Sequence, residues 1–373
     1  MDFILSFLIW SPDPDMLVIP IVDHPVRWYG LLFAGGFIIS QQIMFWIFKQ
    51  EGRPEKDVEK LTVYMVAATI IGARLGHCLF YNPAHYLSNP LEILKVWEGG
   101  LASHGGGLGI FVSLFLFTRK YTQYNFWWLV DRLVIVTALT GALIRTGNFF
   151  NSEMEGTMTN GDWGVVYAYH TEQLLHYDDK NIEDVSFEKG GDMVSNEPGK
   201  YPITAKIIYR RGVELGVSDK HFFENRLRNA LLSYDEVVQH IDFRKDQPLA
   251  YKFYEEDGHA VAEIYGLGIT RHAAQLYEAL FTLLLAMLTF WVWKAKRFTL
   301  PAGFNFALFM TLLWIERFVD EFFKMNQESF EEGMALNMGQ ILSIPMALAG
   351  IAMLFYFSTR GTKNMVGEEL KRD

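Results

Sequence analysis

The chain has 373 residues, of which 50% are hydrophobic and 15% aromatic, and its formal net charge at pH 7 is -10. Cys78 is the only cysteine, which excludes a disulfide framework and a cysteine-based metal site. Residues 151–270 carry 22 acidic and 12 basic side chains, so this segment alone accounts for the net charge. Its acidity argues against nucleic acid as a partner, because nucleic-acid binding needs basic side chains against phosphates.

Seven long apolar stretches predict an integral membrane protein, since a membrane-spanning helix needs roughly 20 apolar residues. In chain order the stretches are 27–48, 61–81, 103–118, 127–149, 272–293, 302–323 and 336–357. The predicted fold class is an all-α integral membrane protein of about seven transmembrane helices, with a mixed α/β extracytoplasmic insert between helices 4 and 5. The predicted domains are 1–150 with helices 1–4, the insert at 151–270, and 271–373 with helices 5–7 and a cytoplasmic tail.

Basic residues in the connections predict the orientation. They cluster in the first, third and fifth connections and in the tail, whereas the second and sixth connections carry one lysine each. By the positive-inside rule, this alternation places the N-terminus outside and the C-terminus in the cytoplasm. Tryptophans near span ends are typical of membrane-interface anchors. These are Trp97, Trp127, Trp128, Trp291 and Trp293.

The insert contains three segments of different pattern. Residues 201–211 (YPITAKIIYRR) alternate as a strand does, and residues 221–241 have helical spacing. Residues 176–200 are polar with several glycines and are predicted to be loop. The insert shows no catalytic motif, which favours a lid or recognition role.

Two polar clusters open predicted spans. Arg27-Trp28-Tyr29-Gly30 opens the first span and is typical of an aromatic anchor. Residues 103–109 (SHGGGLG) open the third span, and because no predicted strand precedes them, close helix approach is favoured over a phosphate loop. His104 in this cluster is either a structural hydrogen-bonding residue or a base that works near neutral pH.

The outer end of the fourth span carries Arg145, Asn148, Asn151 and Glu153, and Gly156 there permits a tight turn. A guanidinium in hydrocarbon costs at least about 2.5 kcal/mol, so it is expected where an anion binds. Its forked donors and the nearby amides suit a phosphate. The alternative is a structural ion pair between Arg145 and Glu153.

The fifth and sixth spans also carry charge. Arg271, Gln275 and Glu278 form a polar stripe at spacings of four and three. Arg317 and Glu321 are four residues apart and so share a helix face, either to aim the guanidinium at an anion or only to join helices. The loop charges place these clusters at or towards the outer side. Such convergence favours one active site that handles phospholipid head groups.

Taken in order, these motifs resemble the prolipoprotein diacylglyceryl transferase family over about 25–150 and 271–357. The matching motifs include Trp28-Tyr29-Gly30-Leu31, Gly72-Ala73-Arg74-Leu75-Gly76, His104-Gly105-Gly106, Arg145-x-Gly147-Asn148-Phe149-x-Asn151-x-Glu153, Arg271-His272-x-x-Gln275-Leu276-Tyr277-Glu278, Arg317-Phe318-x-x-Glu321-Phe322 and Met338-Gly339-Gln340-Ile341-Leu342-Ser343-x-Pro345.

The resemblance implies a reaction in the bacterial inner membrane. A diacylglyceryl group would move from phosphatidylglycerol to the lipobox cysteine of a preprolipoprotein signal peptide, which forms a thioether and releases glycerol phosphate. Arg145 and Arg317 would clamp the phosphate. Asn148 and Asn151 would donate to its oxygens or to the glycerol hydroxyls.

The resemblance also implies supporting roles. His104 is the first candidate base, and Tyr29 is the second, as a donor or a proton relay. The residues expected to orient the others are Glu153, Glu321, Gly156, Arg271, Gln275, Tyr277 and Glu278. We expect membrane lipids around the spans, and no metal or cofactor. A small-anion transporter is the main alternative, although the internal repeats that many transporters show are not evident. A non-catalytic scaffold would leave the buried arginines unexplained.

Overall fold

The computed structural model describes residues 7–19, 24–96, 99–100, 102–191, 193, 195–325, 331 and 333–360. The predicted anchor Trp97 and the tail beyond residue 360 lie outside these residues. The chain divides into two compact units. The first unit comprises Met1–Leu32, Ile144–Ala279 and Val319–Met338, and the second comprises Phe33–Leu143, Leu280–Phe318 and Gly339–Asp373.

Twelve α-helices occur among the described residues. They are α1 (Trp28–Gln50), α2 (Glu55–Phe80), α3 (Pro83–Ser88), α4 (Ser103–Lys120), α5 (Phe126–Phe150), α6 (Tyr169–Asp178), α7 (Val217–His221), α8 (Arg228–Ser233), α9 (Asp235–Val238), α10 (Ala274–Lys296), α11 (Phe304–Asp320) and α12 (Met338–Arg360). A 3-10 helix spans Pro90–Leu94, and a π-helical turn at Phe222–Leu227 joins α7 to α8.

Helices cover all seven predicted apolar stretches. Five helices in the described part of the chain are long and apolar enough to cross a membrane, namely α1, α2, α5, α10 and α12. The other two stretches correspond to α4, with 18 residues, and α11, with 17 residues. The chain is therefore a multi-pass membrane protein, and a total of seven crossings stays a prediction.

The all-α part of the predicted fold class is wrong, because nine strands occur in the described ranges. They are β1 (Leu8–Trp10), β2 (Asp15–Ile19), β3 (His24–Arg27), β4 (Val165–Tyr167), β5 (Ile182–Lys189), β6 (Lys200–Tyr209), β7 (Ile241–Asp242), β8 (Tyr251–Glu256) and β9 (His259–Ile269). Strands β1–β3 precede the first span, where short runs give too weak a periodic signal to predict.

The first unit is built on an antiparallel sheet of order β5-β6-β9-β7, in which β8 also pairs with β9. Alternate residues of β6 point into its core, and Ile203, Ala205 and Ile207 are buried there. Leu227 and Leu231, from the helical segment 217–238, belong to the same apolar core. The strand predicted over 201–211 and the helical character of 221–241 are confirmed.

The prediction of loop over 176–200 is wrong for its middle part, which forms β5. Among the described residues this strand lies at the edge of the sheet and pairs with β6 alone. An edge strand tolerates polar side chains on its solvent face. A shift of register between Ile182 and Asp184 also breaks the alternation by which a strand is recognised.

In the second unit, α2 and α4 approach each other closely along glycines. A Cβ atom added to Gly72 would lie 2.5 Å from the carbonyl oxygen of Gly105, and one added to Gly105 would lie 2.7 Å from Cα of Gly76. No side chain fits in this space, so the glycines set the distance between the two helices. The prediction that the glycine cluster lets helices approach is confirmed.

Glu51, directly after α1, joins three helices of the second unit. Its carboxylate accepts hydrogen bonds from Nε and Nη2 of Arg132, each at 3.0 Å from Oε1. The indole of Trp128 donates at 3.0 Å and that of Trp293 at 2.5 Å. Both indoles are buried, so the prediction that Trp128 and Trp293 are interface anchors is wrong.

Candidate active site

Arg145 lies in the last two turns of α5 and pairs through Nε with Oε2 of Glu278, which belongs to α10. Its Nη1 donates to Oδ1 of Asn148 at 3.2 Å and contacts the sulfur of Met154 at 3.1 Å. The side chain is 21% exposed. A guanidinium carries more N–H donors than these contacts use, so an anion can still bind to it.

Glu153 accepts hydrogen bonds from the two predicted asparagines. Nδ2 of Asn148 donates to its Oε1 at 2.7 Å, and Nδ2 of Asn151 donates to the same oxygen at 3.3 Å. Nε2 of Gln275 donates to the backbone carbonyl of Glu153 at 2.7 Å. Asn148 therefore links Arg145 to Glu153, and Gln275 fixes the backbone that carries Glu153.

Lys324 is a buried cation at this site that the sequence patterns did not identify. Its Nζ pairs with Oε1 of Glu278, lies 3.1 Å from Oδ2 of Asp320, and lies 3.7 Å from Oε1 of Glu321. Its backbone forms a bridge to Gly156. In the sequence Lys324 is a single charged residue in the sixth connection. Its spacing, four residues after Asp320 and three after Glu321, is the one pattern that could have indicated its pairing with these carboxylates.

Gly156 lies where three segments meet. A Cβ atom there would be 2.5 Å from Cβ of His272 and 2.6 Å from the carbonyl oxygen of Phe323, so only glycine fits. Nη1 of Arg271 donates to the Gly156 carbonyl at 3.1 Å, and Nη2 donates to the carbonyl of Gln239 at 2.6 Å. Arg271 thus ties the turn after α5 to the insert.

The two predicted tyrosines lie beside these groups. A Cβ atom on Gly147 would lie 3.0 Å from Cα of Tyr29, so the start of α1 contacts the end of α5 there. The hydroxyl of Tyr277 lies 3.2 Å from Nδ1 of His272. Burial lowers the pKa of His272, which favours its neutral ring.

His104 and Arg317 belong to the second unit, whereas the residues above belong to the first. His104, in the first turn of α4, is exposed, and its ring lies 5.1 Å from that of Phe80. It lines a groove of about 690 Å³ whose other walls are mostly apolar residues of α2 and α4.

Arg317 is half-buried in the last turn of α11. This helix ends at Asp320, one residue before Glu321, and the shared helix face expected for Arg317 and Glu321 stays a prediction. Oε2 of Glu321 accepts a hydrogen bond from Nδ2 of Asn337 at 3.1 Å.

The described residues contain no group of three or more His, Cys, Asp or Glu that could hold a metal ion. The expectation of a metal-free reaction stays a prediction. In the first unit, two cations, Arg145 and Lys324, lie against one carboxylate, Glu278, beside a cluster of amides. Such a set can bind and stabilise an oxyanion.

Comparisons with known proteins agree on one family. The family model described as prolipoprotein diacylglyceryl transferase matches residues 16–356. A phosphatidylglycerol–prolipoprotein diacylglyceryl transferase of Tolumonas auensis is 35% identical over 352 residues, which is 93% of this chain and 96% of the relative. Relatives with the same name from Porphyromonas gingivalis and Chloroherpeton thalassium are 32% and 29% identical. They cover 98% and 94% of this chain, and 98% and 94% of their own lengths.

Proposed function

The chain belongs to the prolipoprotein diacylglyceryl transferase family, and from this premise we propose how its residues perform the reaction. The protein is a transferase that moves the diacylglyceryl group of phosphatidylglycerol to a prolipoprotein, forming a thioether and releasing glycerol phosphate. Family membership favours this activity over the alternative of a small-anion transporter.

We propose that the phosphate of phosphatidylglycerol binds at Arg145. The observation that carries this proposal is the set of contacts that pre-orients the guanidinium, with Glu278 on one edge and Asn148 on another. Binding would then need little reorganisation, which is the condition for strong electrostatic stabilisation. Oδ1 of Asn151 is buried with no hydrogen-bond partner in the described part of the chain, and it would accept from a glycerol hydroxyl.

The acceptor atom in this proposal is Sγ of the lipobox cysteine. Sγ attacks the glyceryl carbon that bears the phosphate ester, so a carbon–sulfur bond forms as the carbon–oxygen bond breaks. The electron pair of the broken bond leaves on the phosphate oxygen, and glycerol phosphate departs. Arg145 would stabilise the charge that develops on that oxygen. The thiol proton must leave before or during attack, because the thiolate is the nucleophile.

Three further roles rest on the sequence motifs. Arg317 would be the second phosphate cation, His104 the base that accepts the thiol proton, and Tyr29 a donor or relay. Glu153 and Glu321 would keep the cations oriented, together with Gly156, Arg271, Gln275, Tyr277 and Glu278. Membrane lipids would surround the spans, of which we propose seven.

We further propose that the protein lies in the bacterial inner membrane, with its N-terminus outside and its C-terminus in the cytoplasm. The loop charges support this orientation. It would place the insert and the end of α5 on the extracytoplasmic side. A substrate cysteine presented near the outer membrane surface could then reach the head-group region.

The reaction can be tested with purified protein in detergent, phosphatidylglycerol and a lipobox peptide. We expect the peptide to gain the mass of one diacylglyceryl unit. A peptide with cysteine replaced by serine should gain none, since a hydroxyl is a much weaker nucleophile near neutral pH. An unmodified cysteine peptide, together with anion flux through the protein in liposomes, would instead support the transporter.

A further inference from the structure

The turn that carries Glu153 has an unfavourable backbone conformation. Ser152 and Met154, on either side of Glu153, have φ values of 49° and 62°. Residues with a Cβ atom rarely adopt this left-handed region. Such a conformation persists only where surrounding groups hold it in place. The groups that hold this turn therefore contribute to the geometry of Glu153.

Side chains from outside the turn bind its carbonyl groups. Nε2 of His170, in α6 of the insert, lies 3.3 Å from the carbonyl oxygen of Ser152. Gln275 binds the carbonyl of Glu153, and Arg271 binds that of Gly156. Arg271 is itself held by the carbonyl of Gln239, whose neighbour in the chain is His240. The insert thus reaches the turn from two directions.

His240 faces the turn through one ring nitrogen. Its Nδ1 lies 2.6 Å from the carbonyl oxygen of Glu236. A carbonyl oxygen only accepts, so Nδ1 carries the proton and the neutral ring presents a lone pair at Nε2. This Nε2 lies 3.5 Å from Oε1 of Glu155, within the turn. Both atoms are buried without a hydrogen-bond partner among the described residues.

We propose that Glu155 and His240 share one proton, and that this pair is the device by which the insert positions the Glu153 turn for diacylglyceryl transfer. With the proton present, the carboxyl donates to Nε2 or the imidazolium donates to the carboxylate. Without it, two lone pairs face each other in a buried site, which is unfavourable. Loss of the proton would therefore loosen the turn. The role in transfer rests on the proposed site at Glu153 and Arg145.

The charged groups around the pair fit a shared proton. Burial raises the pKa of Glu155 to about 7. The negative charges of Glu236 and Glu153 also raise this pKa, whereas the positive charge of Arg271 lowers it. Burial lowers the pKa of His240 to about 4, and Arg271 and His170 add to that decrease. The ring of Tyr167 also packs on His240. Between about pH 4 and about pH 7, the proton therefore lies on Glu155 and the imidazole stays neutral.

Glu155→Gln is the decisive variant, because its amide N–H donates to Nε2 at every pH at which the His240 ring is neutral. In the unchanged protein we expect kcat to decline above about pH 7. We expect Glu155→Gln to retain transfer activity within about threefold of the unchanged protein and to lack this decline. Glu155→Ala cannot donate, and below about pH 7 we expect its kcat to be about tenfold to a hundredfold lower than that of the unchanged protein, with a smaller change in KM. Glu214→Gln, an exposed position in the same insert, is the matched control.

Amide hydrogen exchange of residues 152–157 gives a readout that does not depend on activity. Exchange in the unchanged protein should accelerate as pH rises through about 7 beyond the intrinsic pH dependence of exchange, and Glu155→Gln should remove this excess. The same alkaline decline in both proteins, or equal loss of activity in folded Glu155→Gln and Glu155→Ala, would overturn the proposal. Absence of transfer by the unchanged protein would instead refute the proposed function, and the exchange measurement would still test the pair.

Discussion

Glu278 contacts two cations of the first unit, Arg145 through Oε2 and Lys324 through Oε1. Asp320 and Glu321 add negative charge around Lys324. Pairing of this kind lowers the cost of keeping the cations away from water while no substrate is bound. When a phosphate arrives it meets cations already aimed by these carboxylates, so the charges need not be moved into place.

Arg145→Lys tests whether the fork of the guanidinium matters as well as its charge. A lysine ammonium cannot hold Glu278 and Asn148 on two edges and also bind two phosphate oxygens. We expect kcat for transfer to fall about a hundredfold to a thousandfold while the protein stays folded. Arg119→Lys, at an exposed position, should match the unchanged protein. Activity of Arg145→Lys within about twofold of the unchanged protein would remove the fork from the mechanism.

The sequence identified Arg145 because a guanidinium at the end of an apolar run is costly and therefore conspicuous. Lys324 has no such signal, since it follows a helix by four residues and looks like any loop lysine. Its burial arises from the backbone bridge to Gly156, which is far away in the sequence. The sequence also did not predict the contact of Arg145 with Glu278, because Glu153 lies much nearer to Arg145 in the chain and was the expected partner.

At the level of the helices, α2 and α4 can approach each other closely because the residues at their contact are glycines, which have no side chain. Along this contact Gly72, Gly105 and Gly109 face backbone atoms of the other helix rather than a flexible side chain that could move aside. The glycine spacing in the sequence was enough to predict this contact, because small residues at one helix face have few other uses in a membrane.

Gly105→Ala should destabilise the protein by about 1–3 kcal/mol, since the added methyl overlaps the backbone of α2. Gly107→Ala is the matched control on the same helix, because nothing lies within 4 Å of its added Cβ. The control should be neutral or slightly stabilising, as alanine favours helix by about 1 kcal/mol over glycine. The measurement is the free energy of unfolding in detergent. Equal values for the two variants would show that the helices are not in close contact.

Glu51→Ala tests the junction of α1, α5 and α10. It leaves Arg132 buried without its carboxylate, which costs about 3–5 kcal/mol in comparable sites. We expect a large drop in melting temperature, whereas Glu59→Ala, at an exposed position of α2, should change it little. A similar melting temperature for both variants would contradict a stabilising role for this junction.

Trp128 and Trp293 show where sequence reasoning about elements fails. An indole near a span end can face the head groups or a neighbouring helix, and the two cases have the same sequence pattern. Here the deciding partner is Glu51, which lies 77 residues from Trp128 and 242 residues from Trp293. Whether an indole faces the head groups or a neighbouring helix is therefore decided by a residue far away in the chain, and the sequence of one span cannot show it.

For the whole molecule, the insert is the part whose role the sequence predicted least well. Its patterns favoured a lid or recognition domain without a part in chemistry. Yet Tyr167 donates to Gln275 at 3.0 Å, and His170 and the Gln239 carbonyl reach the turn or its supporting arginine. These contacts lie within the first unit and link the insert to the segment that carries Glu153. Such support is hard to predict from the sequence, because two of these contacts end on backbone carbonyls and all of them join residues far apart in the chain.

Deletion of residues 160–265 should therefore abolish turnover even with a minimal lipobox peptide, whereas loss of a lid would mainly raise KM. Because the deletion could also impair folding, His170→Ala offers a milder test with the insert intact. We expect it to lower kcat about tenfold, since it removes one of the donors to the strained turn. If both variants have a normal kcat in the peptide assay, the insert does not support the turn and acts as a lid.

The short parallel pairing of β1 with β4 has a consequence for biosynthesis. The indole of Trp10 also donates to the carbonyl of Phe149, 139 residues further along. Strand β1 therefore stays without its partner until α1, α2, α4, α5 and the segment that contains β4 have been translated. During that interval its exposed edge is open to mispairing, so fusion of a bulky purification tag to the amino end should reduce the yield of folded protein more than the same tag at the carboxyl end.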